Sequence, residues 1–388
     1  MLRIAMVSPY SVSVPGGVQA QVLGLARELR KMGHEVRVLA PCDGPPPEAF
    51  VTPLGNSLPT AANGSVAPIA PDPSAALRTI RALNDEAFDI IHLHEPIAPG
   101  PTATALLLHL APTVGTFHAG GDSSSYRVLN KTARWAADQL TLRVAVSPSA
   151  QELAHRYLGG EYTVLFNGIE IERYQQGGAT KASVPTILFL GRHEPRKGLE
   201  VLLDAMSMLP QNVRLWVASD GEGIGELAAK HAHDSRIEWL GRISEGEKLE
   251  RLAQCTVFCA PSLRGESFGI VLLEAMASGA ALIASAIDGY VNVASDEYDA
   301  LLVAPGDSKQ LADAIMRVFN DEGLRARLIE RGFIRAQQFS MRQLAKKYVA
   351  IYEALLAAEM AHEIEVRPNR LVALFSDRLL RRPRLGRP

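Results

Sequence analysis

Residues 3–40 read RIAMVSPYSVSVPGGVQAQVLGLARELRKMGHEVRVLA, and this stretch decides the fold class. The apolar run at residues 3–8 has the length of a buried strand. Val18, Val22, Leu25 and Leu29 recur at helical spacing and mark one face of a helix ending near Gly33. A second apolar run follows at residues 35–40. Strand, helix and strand in this order pair in parallel through a right-handed crossover, the unit of an α/β fold. Similar runs lie at residues 89–94, 112–117 and 143–147. The pattern lapses at Gln175-Gln176-Gly177-Gly178, a polar linker, and restarts at residues 186–190, 213–218, 237–240, 257–260 and 281–285. Two doubly wound αβ halves are expected to face a central cleft, the first over residues 1–172 and the second over 173–340. A helix over residues 341–362 is expected to cross back to the first half, and residues 363–388 form a basic tail. The proline-rich residues 41–73 read as an irregular loop.

A chain of 388 residues can bury two cores, and 47% hydrophobic with 21% charged residues is globular composition. The longest apolar stretch, residues 270–287, is interrupted by Glu274, so no membrane span is expected. The N-terminus enters its strand with no basic segment, apolar stretch and cleavage pattern, so export is not expected and a cytoplasmic protein is. Cys42, Cys255 and Cys259 cannot build a disulfide framework, and Cys255 and Cys259 on an apolar strand read as buried filling. The formal charge of −2 divides unevenly: residues 367–388 hold seven arginines against Asp377, net +6, on a body of net −8. An acidic body argues against nucleic acid as a partner. Leu371, Leu374, Phe375 and Leu379 add an apolar helical stripe to the arginine tail, which reads either as an anchor for an anionic membrane surface or as a solvated extension.

Ligands of doubly wound sheets sit where loops leave the carboxyl ends of strands. Four such loops carry chemistry. Pro15-Gly16-Gly17-Val18 opens the first helix and either lets a phosphate reach main-chain N–H groups or makes a tight turn. It lacks the dinucleotide Gly-x-Gly-x-x-Gly pattern. Gly191-Arg192-His193-Glu194-Pro195-Arg196-Lys197-Gly198 places three cations after a strand, where Arg192 and Lys197 can neutralise a diphosphate without a metal. In Gly265-Glu266-Ser267-Phe268-Gly269-Ile270 the glycine opens a helix whose free N–H groups face the region of Glu266. Glu274 lies inside that otherwise apolar helix, so two ribose hydroxyls or a structural ion pair must satisfy it. His118 ends a strand facing the cleft. His92 and His94 alternate on another strand without an evident third metal ligand.

These segments, in this order, resemble the retaining family 4 glycosyltransferases of GT-B fold, two Rossmann-like domains facing a cleft, over residues 3–360. Within that family the chain is similar to the actinobacterial phosphatidylinositol α-mannosyltransferases, through Ser8-Pro9-Tyr10-Ser11, Asn63-Gly64-Ser65-Val66-Ala67, His92-Leu93-His94-Glu95-Pro96 and Thr116-Phe117-His118. The resemblance implies transfer of a hexose, α-mannose from GDP-mannose, to a phosphatidylinositol-type lipid or glycolipid acceptor, with no tightly bound cofactor and no metal needed for binding. It implies that Arg192 and Lys197 hold the donor diphosphate with Gly16 and Gly17 opposite. Glu274 takes the ribose, Glu266 the sugar, Ile243 lies by the base, and Ser267, Phe268, Gly269 and Ile270 complete the donor site. His118 would sit beside the anomeric carbon, making His118, Arg192, Lys197 and Glu266 the catalytic set. Tyr10, Asn63 and Ser65 fall to the acceptor. The inositol-lipid enzymes place a tyrosine before the Asn-Gly-Ser segment and an arginine after it, where this chain has Ala62 and Pro68. Another nucleotide-sugar, a non-inositol acceptor, or epimerase or hydrolase chemistry on the same fold are the alternatives. A lipid acceptor further implies peripheral attachment at the inner face of the cell membrane.

Overall fold

Apolar runs too continuous to alternate between faces become strands buried on both sides. The computed structural model describes residues 1–62, 65–119, 130–175, 180–266 and 268–379, with side chains omitted at 61, 62, 65, 66, 130 and 362–379. A first sheet is built from β1 (Arg3–Val7), β2 (Glu35–Ala40), β3 (Val51–Pro53), and, after a hairpin of β4 (Leu58–Ala62) and β5 (Ser65–Ile69), from β6 (Ile90–His94), β7 (Thr113–Phe117), β8 (Leu142–Ala145) and β9 (Thr163–Val164). Its order is β3-β2-β1-β6-β7-β8-β9, with every pair parallel. The second sheet uses β10 (Thr186–Leu190), β11 (Arg214–Ala218), β12 (Ile237–Trp239), β13 (Val257–Ala260), β14 (Ala281–Ser285) and β15 (Leu301–Val303). Its order is β12-β11-β10-β13-β14-β15, again all parallel. Both sheets are wound outward from their first strand in both directions, the Rossmann arrangement.

Alternation sorts the second core. Ile187, Phe189, Leu215 and Val217 pack on one face, and Leu188, Trp216, Ala218 and Phe258 pack on the other. Cys255 and Cys259 are fully buried, and desolvation pushes the Cys255 thiol up to about 12, so it is packing material rather than a nucleophile. In the first sheet Ala5, Val7, Ile91, Leu93, Phe117 and Ala145 share one core.

The expected irregular loop over residues 41–73 is instead partly sheet: β3 extends the first sheet, and β4 and β5 form an antiparallel hairpin in which Pro59 faces Pro68. The outer edge of β5 is met by Tyr10 and Ser11, where the Pro68 carbonyl accepts from the Ser11 N–H at 2.8 Å, so proline there still serves as an acceptor although it cannot donate. The helix expected to end near residue 360 runs over Met341–Leu379, a stretch with one proline, Pro368, and no glycine to stop it.

Met1–Ala345 forms one compact unit and the chain from Lys346 a second. Within the first unit the chain passes between sheets at two adjacent places. Ile169 pairs with Ser340: its N–H donates to the Phe339 carbonyl at 2.9 Å, and the Met341 N–H returns to its own carbonyl at 2.7 Å. The Gln21 side chain grips Gly168 beside this crossing, donating to its carbonyl at 2.7 Å and accepting from its N–H at 3.0 Å.

Candidate functional site

Strand order reverses at β1/β6 in one sheet and β10/β13 in the other, so the loops leaving those strands diverge and open a crevice. At β10/β13 the two loops are tied together. Gly198 has φ +69, and the carbonyl of Pro261 occupies the space a Cβ would need. The Leu263 N–H donates to the Arg196 carbonyl at 2.7 Å. The Arg196 guanidinium then spans both loops, bonding Glu194 at 2.6 Å, the Gly265 carbonyl at 3.0 Å and Glu266 Oε1 at 2.7 Å. Lys197 Nζ reaches the same Glu266 oxygen at 2.7 Å. Arg192 stands apart, 58% exposed and paired with Glu194 at 3.4 Å.

Gly269, at φ +86, turns the chain into the helix Ile270–Ala277, which has no side-chain cap among the described residues; of its first N–H groups, that of Leu272 is already spent on the Gly269 carbonyl at 3.0 Å. Phe268 is buried, stacked on Phe166 with Phe339 at its edge, which leaves only its main chain to offer a donor. Glu274 Oε1 accepts from Tyr174 Oη at 2.7 Å and from Lys248 Nζ at 3.0 Å. The structural ion pair weighed for this carboxylate is therefore present. Burial opposes the Lys248 charge, but Glu274 and Glu245 outweigh it and hold its pKa above the ordinary lysine value. Ile243 is half-buried just ahead of Glu245–Gln254, the helix that carries Lys248, and packs on the second core.

At β1/β6 the chemistry is different. Gly16 caps the helix Gly17–Lys31 in extended conformation with no side-chain bond, and around Gly17 the space is open. Tyr10 bridges to Ile69 of the hairpin, and burial, then the nearby Glu95, holds its phenol above the usual range. Glu95 follows β6 at φ +52 and accepts the main-chain N–H groups of His118 and Ala119 at 2.7 and 2.8 Å. His118 Nε2 lies 3.0 Å from His94 Nδ1, and His92 Nε2 lies 2.7 Å from Thr116 Oγ1. The three imidazoles are stacked, with centroids 4.4 Å apart for His92 and His94 and 5.2 Å for His94 and His118. Burial drives the pKa of His92 and of His118 down to about 3 and that of His94 well below normal, so all three are neutral. Among the described residues no group of three or more His, Cys, Asp or Glu is placed to hold a metal ion.

The structure thus groups Lys197 with Glu266, and Glu274 with the helix of Ile270; His118 shares Glu95 with Tyr10. Arg192 is not joined to Glu266. Ser267 and Asn63 lie outside the described residues, as does the side chain of Ser65. Sequence reasoning missed Arg196 as the tie between loops, and Tyr174 and Lys248 as the partners of Glu274. Glu95 was also unassigned, although it stands between two quoted histidine motifs. No helix among the described residues is long and apolar enough to cross a membrane.

Residues 15–173 match Glycosyltransferase Family 4, and residues 170–335 match Glycosyl transferases group 1. A phosphatidyl-myo-inositol mannosyltransferase of Mycobacterium leprae is 36% identical over 365 residues, 91% of this chain and 97% of that protein. One from Propionibacterium freudenreichii is 34% identical over 369 residues, covering 90% and 94%. Among solved structures, sucrose-phosphate synthase from Thermosynechococcus elongatus superposes with a TM-score of 0.70 at 21% identity, over 92% of this chain and all of that one. WaaG, a glycosyltransferase of lipopolysaccharide biosynthesis, gives 0.65 at 18%, over 90% and 99%. At such identities these two likenesses speak to the fold, which is GT-B.

Proposed function

The chain belongs to the family of the phosphatidyl-myo-inositol mannosyltransferases, and from that premise we propose that it transfers α-mannose, with retention, from GDP-mannose to a phosphatidylinositol-type lipid. The observation that carries the reading is the meeting of Arg196, Lys197 and Glu266 at the β10/β13 switch point. A diphosphate entering there exchanges the Glu266 carboxylate for its own oxygens on Lys197, and Arg192, exposed and loosely held, closes on it. Glu266, released, accepts from sugar hydroxyls. Glu274 receives the ribose, Ile243 lies by the base, and the uncapped N-termini of the helices Gly17–Lys31 and Ile270–Ala277 face the anion. The sugar C1–O bond to phosphate breaks as the C1–O bond to the acceptor forms on the same face. The acceptor hydroxyl proton passes to the departing phosphate oxygen, and Lys197 stabilises the charge developing there. No metal takes part in donor binding.

Tyr10, Asn63 and Ser65 are assigned to the acceptor, and the protein works as a peripheral enzyme at the inner face of the cell membrane, where its lipid lies. The +6 arginine tail supplies attachment at about 1 kcal/mol per arginine on an anionic surface. Purified protein incubated with labelled GDP-mannose or UDP-sugars, with and without phosphatidylinositol, tests the reaction. Mannolipid formed only with both GDP-mannose and phosphatidylinositol is expected. Free mannose alone, or product from a UDP-sugar, would overturn it. Removal of residues 367–388 should abolish sedimentation with anionic vesicles while donor binding persists.

A further inference from the structure

The His94–His118 contact fixes more than a distance. A neutral imidazole has one N–H donor and one bare acceptor nitrogen, so the 3.0 Å bond between His94 Nδ1 and His118 Nε2 admits two proton arrangements. In one, His118 Nε2–H donates inward; His94 must then carry its second proton on Nε2. That atom is buried and has no hydrogen-bond partner among the described residues. In the other, His94 Nδ1–H donates to His118 Nε2, and the orphan is merely a bare lone pair. An imidazole N–H sealed from water without an acceptor is the more expensive orphan, and buried donors are rarely left so. His94 is 2% exposed, too deep for water to rescue it.

We infer that His94 is a positioning residue that locks His118 in the Nδ1–H tautomer. Three observations hold the pair in this state. Glu95 accepts the main-chain N–H of His118 at 2.7 Å, which pins the residue's backbone. The ring of His94 is stacked between those of His92 and His118, which fixes its plane. Burial keeps all three rings neutral, so neither arrangement is replaced by an imidazolium. His118 Nδ1 has no bond to any described protein group and is therefore the ring atom available to a ligand. It presents a hydrogen-bond donor to an oxygen of the substrate and cannot serve as a base. This consequence rests on the proposed placement of His118 beside the donor sugar; the tautomer itself does not.

Full-length protein labelled with 15N-histidine, studied by long-range 1H–15N correlation near neutral pH, reads the tautomer directly, with His118→Gln used to assign the signals. Expected is a His118 pattern with a protonated Nδ1 and a bare Nε2. His94→Leu, which removes the inward donor, should move His118 toward the Nε2–H form and lower kcat roughly 10- to 100-fold with little change in donor KM. His94→Asn keeps an N–H near the original Nδ1 and should recover the wild-type pattern and much of the lost kcat. A wild-type His118 protonated on Nε2 overturns the inference even if no variant folds, as does an unchanged pattern in folded His94→Leu. Should the tautomer be as stated while His118→Gln retains full turnover, the placement of His118 at the sugar fails and the tautomer assignment stands.

Discussion

Beside β1 and β6 the crevice is floored by three stacked, neutral imidazoles, with Glu95 spent on main-chain N–H groups. Beside β10 and β13 it is floored by charges, with Glu194 and Glu266 against Arg196 and Lys197, and Glu274 against Lys248. The two sheets share one winding, so topology does not set this difference. Burial does. The histidines are 9% exposed or less, and an imidazolium there would lose its hydration. The β10/β13 charges keep partial access to water and neutralise one another until a more highly charged ligand arrives. One half therefore offers neutral hydrogen bonds in a dry setting, and the other a set of exchangeable ion pairs.

The sharpest way to break this comparison is Lys197→Ala. It should lower kcat by about 10²–10³, while Arg196 keeps Glu266 paired and denaturant stability stays close to wild type. Arg192→Ala should lose less, because that side chain is largely exposed and holds only Glu194, at 3.4 Å, before the donor binds. Equal losses in steady-state assays would show that the two cations act as one clamp.

The dry half is tested by pH. Each histidine has a folded pKa below its unfolded value near 6.5, so between about 3 and 6.5 the unfolded chain binds more protons. Their contribution to stability is complete above pH 6.5 and is lost as pH falls below it. The slope approaches about 1.4 kcal/mol per pH unit for each histidine. Urea denaturation across that window measures it. His94→Leu should flatten the curve, and a curve of unchanged slope would mean that the imidazoles are not held neutral.

Smaller effects separate the two carboxylates. Glu274→Gln should weaken free GDP about tenfold, or ~1.4 kcal/mol, since the ribose is common to donor and product. Glu266→Gln should leave GDP affinity equal or a few times tighter, because it removes the carboxylate that competes for Lys197, and should reduce transfer. Titration calorimetry decides between them; a matched weakening would place both carboxylates on the nucleotide. Least of all should a chelator matter: donor affinity in EDTA is expected to equal that in its absence.

Most of the winding was legible because parallel strands buried on both faces leave long apolar runs. The hairpin was not, because Pro59 and Pro68 look like strand breakers until they are seen to face each other across a two-stranded ladder. The Asn63-Gly64 dipeptide between them is a hairpin signal that could have located it. Strands β9 and β15, at two and three residues, are too short to show a period. Loop chemistry was readable as residue type at a strand end, which singled out Lys197, Glu266, Glu274 and His118. Pairing was not readable. Nothing in the spacing joins Tyr174 to Glu274 across a hundred residues, or distinguishes Arg196, tied into two loops, from Arg192, which is not.

The zipper at Ile169, Phe339 and Met341 has an evolutionary reading. The chain leaves the first half at residue 169 and re-enters its neighbourhood at residue 341, with the two passages hydrogen-bonded side by side. Residues 170–340 are thus a loop closed at its base, and in construction they resemble a cassette inserted between two fixed ends. A different nucleotide-sugar module with the same end spacing could be exchanged there by recombination, with the host helix needing to keep its contacts at the base of the loop, Gln21 on Gly168 and Arg27 on Glu170 at 2.6 Å, to receive it.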